Sequence, residues 1–80
     1  MSNVLEAQRA KEFAALEDRL AAIAGSSTLS ELTERTDRAF DAVDELYDCG
    51  LIGGAERKHW GEEFSYANKE CLLAMAAPAS

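Results

Sequence analysis

Eighty residues with eight basic and fifteen acidic side chains, a net charge of −7, suit one small acidic domain and repel phosphate backbones and anionic lipid surfaces, so direct nucleic-acid and membrane binding are not expected. No stretch approaches the roughly twenty apolar residues that span a bilayer, and MSNVLEAQRA lacks the basic-then-apolar pattern of a signal peptide. One proline and few β-branched residues argue against a sheet, so the chain is expected to be all-α, with fifteen alanines lending helix propensity to a modest bulky core.

The first helix is expected over about 3–24, capped by Ser2 or Asn3 and stopped by Gly25 in a left-handed conformation. Leu5, Phe13, Leu16, Leu20 and Ile23 form its apolar seam. Arg9 falls on the same line, where an apolar residue belongs, so its guanidinium needs a partner. Ala7, Ala10, Ala14 and Ala21 flank the seam and either admit a close helix neighbour or only supply propensity.

The second helix, about 28–49, carries the clearest pattern. Leu29, Leu32, Thr36, Ala39, Val43 and Leu46 recur at spacings of three and four, widened by Phe40 and Tyr47. Thr28 with Glu31 resembles a capping box, in which hydroxyl and carboxylate each satisfy a backbone donor. At the other end Gly50 closes the helix, and Leu51 is placed to fold back on Leu46 in a Schellman motif.

A third helix, about 54–76, starts at Gly53 or Gly54 with Glu56 near its positive end. Its seam is Trp60, Phe64, Ala67, Cys71 and Ala74 or Met75. Gly61 inside it predicts a bend or a close backbone contact, and Pro78 ends it, leaving 77–80 as a frayed tail.

Short connections between three helices predict antiparallel neighbours and an up-down-up bundle. Closing both turns tightly stacks Leu20, Leu32 and Cys71 in one layer, then Leu16, Thr36 and Ala67, then Phe13, Phe40 and Phe64, then Arg9, Val43 and Trp60. Arg9 would then lie on the Trp60 ring as a cation–π pair. The alternative is a helical hairpin completed by homodimerisation, which narrow heptad stripes favour.

Two surface features stand out. Glu34, Asp37, Asp41, Asp44, Glu45 and Asp48 repeat along the second helix opposite its seam. Carboxylates a turn apart fit a basic protein surface such as a groove that otherwise holds nucleic acid, while a solvated face that keeps the chain soluble would read the same. Ile52, His59, Tyr66 and Leu73 recur every seven residues, round the third helix from Trp60 and Phe64. That column is expected to stay outside the core as a self-association or partner surface, or to be partly buried at its edge.

Chemistry finds little support. A single Glu56-x-x-His59 spacing lacks the second copy a bundle metal site needs, so metal binding is the weakest reading and no cofactor is expected. One histidine, no Gly-rich phosphate loop and too little chain for a substrate pocket argue against an enzyme. Cys49 and Cys71 lie too far apart for a disulfide, which fits a reducing cytoplasm.

The expected function is therefore a non-catalytic protein–protein interaction module. An inhibitor or adaptor that docks on a larger protein fits, such as a phage or mobile element directs against a host nucleic-acid-handling machine. The alternative is a self-assembling structural protein whose partner is its own copy.

Overall fold

Helix α1 runs over Ser2–Ala24, α2 over Leu29–Asp48 and α3 over Gly54–Ala76, packed as an all-α three-helix bundle. The computed structural model describes residues 2–77, with side chains from residue 4 onward. Capping by Ser2 or Asn3 rests on side chains outside the described residues, as does the tail from Pro78 onward.

The core is one cluster in which Leu16, Ile23, Leu32, Val43 and Phe64 are fully buried. Removing a fully buried side chain of that size from water contributes about 1.5–3 kcal/mol each. Four aromatic rings run through the centre as a chain. Phe13 meets Trp60 at 6.3 Å between centroids, Trp60 meets Phe64 at 5.7 Å, and Phe64 meets the edge of Phe40 at 6.0 Å.

These contacts fix the helix registers. Between α2 and α3 the register is the expected one. Thr36 donates to Asn68 Oδ1 at 3.0 Å, Phe40 sits on Phe64, and Arg57 reaches Asp44. Between α1 and α3 it differs by one turn. Phe13 lies against Trp60 rather than level with Phe64, and Arg9 reaches Glu56 rather than Trp60. Helix α1 has therefore slid about 6 Å, four residues at 1.5 Å each, toward the end where α3 begins.

The cause lies in the first connection. Gly25 does not take the left-handed conformation expected of it; among the described residues only Gly50 has a positive φ, at 82°. Gly25 N–H instead still donates to Ala21 O at 2.9 Å, in the helical pattern. The orphan carbonyl of Ala22 accepts from Ser26 Oγ at 3.1 Å and from Arg35 Nη1, on α2, at 3.0 Å. A cap supplied by another helix needs no tight turn, so the chain from Gly25 to Thr28 can climb before α2 begins.

The second connection is a full Schellman motif. Leu51 N–H donates to Leu46 O at 3.0 Å and Gly50 N–H to Tyr47 O at 3.1 Å, with Leu51 packed against the core as expected.

The slide has visible consequences. The start of α1 overhangs one end, where Leu5 is 56% exposed although it continues the seam. At the other end α1 stops early, leaving Leu29, Leu72 and Leu73 exposed and Ala74 and Met75 outside the core. Helix α3 continues through Gly61 without a break. A Cβ there would meet the Phe40 ring at 3.7 Å, ordinary van der Waals contact.

Candidate functional site

Helix α2 caps itself much as its sequence indicates. Thr28 Oγ1 accepts from Glu31 N–H at 3.1 Å, while the Glu31 carboxylate reaches one residue further back than expected, to Ser27 N–H at 2.8 Å. That bond, with Arg35 nearby, holds the Glu31 carboxyl below its ordinary pKa.

Once α2 packs by Leu32, Ala39, Val43 and Leu46, its opposite face turns outward. All six residues of the acidic row are exposed: Glu34, Asp37, Asp41, Asp44, Glu45 and Asp48. The row is bordered by cations from both neighbouring helices. On one side Asp44 Oδ1 accepts from Arg57 Nε and Nη2 at 3.1 and 2.9 Å, and the same guanidinium lies 4.7 Å from the Tyr47 ring centroid. On the other side Glu34 pairs with Arg38 at 2.7 Å, and a shallow hollow brings Arg19 of α1 beside Arg38, Asp41 and Glu45. Such exposed pairs each contribute at most about 1 kcal/mol.

Between these borders Asp37, Asp41, Glu45 and Asp48 have no cation within 4.0 Å among the described residues. Arg35 could have relieved them, but it turns to the end of α1, where it also donates to Ser26 Oγ at 3.4 Å. The sequence shows the carboxylate row; it does not show that Arg19 and Arg57 flank it, because both come from other helices.

The heptad column of α3 separates into two parts. His59, Tyr66 and Leu73 are exposed, Tyr66 at 64% and Leu73 at 56%. Ile52 is not part of that surface. It precedes α3 in the loop after the Schellman turn, where helical spacing does not apply, and it is buried in the core. Its N–H approaches Leu46 O at 3.4 Å, and that fold-back carries the side chain inward.

Arg9 has found different partners from those its seam position predicts. Its Nη2 donates to Glu56 Oε2 at 2.7 Å and its guanidinium lies 5.4 Å from the Phe13 ring centroid. The other oxygen of the same carboxylate, Oε1, accepts from Gly53 N–H at 3.0 Å. Glu56 thus caps α3 and ties α1 to it. Sequence did hold the needed signal: a seam arginine is matched better by a carboxylate than by an indole, and pairing Arg9 with Glu56 sets the observed register.

Near the opposite end, α1 and α3 part to leave a groove of about 500 Å³, lined by Leu20 and Ala24 on α1 and by Tyr66, Ala67, Ala74 and Met75 on α3. It follows from the slide, so the spacings within each helix do not reveal it.

Among the described residues no three His, Cys, Asp or Glu side chains gather where a metal ion could sit, and no helix is long and apolar enough to cross a membrane. Both cysteines are free, Cys49 exposed and Cys71 buried, with Cys71 Sγ donating to Ser26 O at 3.5 Å. Comparison with protein-family models, curated proteins and solved structures finds no match for the chain.

Proposed function

We propose that this chain is a non-catalytic protein–protein interaction module of the cytoplasm, an inhibitor or adaptor that presents the acidic face of α2 to a basic surface on a larger protein. The observation that supports it is the row Asp37, Asp41, Glu45 and Asp48, left without ion-pair partners among the described residues while Arg35 turns away to α1. Like charges at these spacings destabilise a helix by a few tenths of a kcal/mol each. A basic partner would remove that repulsion and be steered on to the face by it. A phage or mobile-element origin, with a host nucleic-acid-handling protein as target, fits the same size and charge.

The test is affinity purification from the native cell, followed by titration of the recovered partner against the intact chain and against a triple variant, Asp37→Asn, Asp41→Asn and Asp48→Asn. Affinity should fall steeply with added salt and be lost in the variant. Binding unaltered by both would reject the acidic face as the contact.

A second reading, self-assembly, is favoured by the exposure of Tyr66 and Leu73 on α3. Light scattering across concentration separates it, since an assembling protein grows with concentration and Tyr66→Asp should then lower the mass.

A further inference from the structure

We propose that the groove between α1 and the C-terminal half of α3 is a docking site for an amphipathic helix of a partner protein, one whose apolar row is flanked by lysines or arginines. This is a different surface from the acidic face of α2, and the inference does not rest on that face having a partner.

The shape suits a helix. Leu20 and Ala24 of α1 face Ala67, Cys71 and Ala74 of α3 across the groove, with Met75 at its mouth. Three of those six are alanines, which let a backbone come close, and the larger Leu20 and Met75 offer apolar contact. From Glu63 to Met75 the wall extends about 18 Å at 1.5 Å per residue, room for about three turns of an incoming helix. From Glu63 to Cys71 the groove runs beside α1, and only its Ala74–Met75 end is the space that the one-turn slide of α1 leaves uncovered, so a foreign helix would lie along α1 and extend past its end.

Charge selects among the occupants. Glu63 and Glu70 line the groove seven residues apart on α3, about 10 Å along one wall. On α1, Glu17 stands one turn before Leu20, exposed and on the same side of the helix. Among the described residues no lysine or arginine lines the groove. An apolar floor between carboxylates matches a helix with an apolar row bordered by cations. It does not match a second copy of this chain in a two-fold arrangement, where the same patch meets itself and brings the carboxylates of one copy toward those of the other, on molecules each carrying −7.

Three synthetic peptides of about sixteen residues test it on the full chain, all with leucine at i, i+4, i+7 and i+11 and with lysine, glutamine or glutamate at the flanking positions. Fluorescence anisotropy should show the lysine peptide binding about ten-fold tighter than the glutamine one, with no binding of the glutamate peptide. Amide shifts should concentrate on Ala67, Glu70 and Ala74. Glu63→Lys with Glu70→Lys should invert the preference toward the glutamate peptide. Ala74→Trp, at an exposed position, should block binding without changing the melting curve.

Failure of the lysine peptide to bind, or equal binding of all three, overturns the proposal. So does a dimer in sedimentation that Ala74→Trp dissolves, because the occupant is then a second copy. Loss of peptide binding in the triple Asn variant of α2 also overturns it, by placing the peptide on the acidic face, and leaves the reading of that face standing.

Discussion

The two connections of this bundle meet the same requirement, orphan carbonyls at a helix end, by different means. After α2 the remedy is local: Gly50 at φ 82° and the N–H groups of Gly50 and Leu51 close the turn within a few residues. After α1 it is partly borrowed: Ala22 O accepts from the nearby Ser26 Oγ and also from Arg35, thirteen residues along. A locally closed turn sets the register of the helices it joins. A borrowed cap leaves the register to packing, and here α1 has moved by a turn, opening a groove at one end and an overhang at the other.

The sharpest way to break that comparison is to truncate two leucines of the α1 seam. Leu16→Ala should cost about 2–5 kcal/mol because Leu16 is buried in the core, while Leu5→Ala on the overhang should stay within about 0.5 kcal/mol. Urea denaturation reads both, and equal costs would place α1 in the unslid register. Next come the two glycines. Gly50→Ala forces a Cβ into the left-handed region and should cost about 1–2 kcal/mol. Gly25→Ala, whose Cβ would meet Ala21 O at an ordinary 3.4 Å, should cost less than about 0.5 kcal/mol. A large loss at Gly25 would mean that the first turn is closed locally after all.

A smaller effect is expected at the borrowed cap. Arg35→Met keeps the aliphatic stem but removes one of the two donors to Ala22 O, and should lower stability by about 1 kcal/mol, with faster amide exchange at the end of α1 and not at the end of α2. Uniform exchange changes would show that Arg35 is no cap. The smallest effect concerns pH. The carboxyl of Glu31 is held below its ordinary pKa, chiefly by Ser27 N–H, so the folded state favours the charged form. The stability this adds is present above the unfolded-state pKa and disappears as pH falls through the lowered folded one. The melting temperature of the native chain should therefore exceed that of Glu31→Gln near neutrality, and the gap should narrow in acid. A gap that widens in acid would contradict the cap.

Much of the architecture was legible in the residues. Leucines, valine and phenylalanines at helical spacing on three stretches, most clearly on α2 and punctuated by Thr28 and by Gly50-Leu51, mark three helices and the α2/α3 register, because helical spacing and a Schellman turn are local properties. The exposed carboxylates of α2 follow from the same spacing. Ile52 was misplaced because a seven-residue repeat has meaning only inside a helix, and that residue lies before one. Trp60 was the wrong partner for Arg9 because a single assumed turn at Gly25 propagated through every α1 layer.

Chain order and side-chain pattern were sufficient for which segments coil and which face of each turns inward, since both depend on neighbours within about one helical turn. How far α1 slides along α3 depended on contacts between residues forty or more positions apart: Arg9 with Glu56, Phe13 with Trp60, and Ser26 with Cys71. Helical spacing alone allows pairings one turn away, so only the assembled core decides among them. The open end of the groove, the overhang and the place of Arg19 beside the acidic face all follow from that decision.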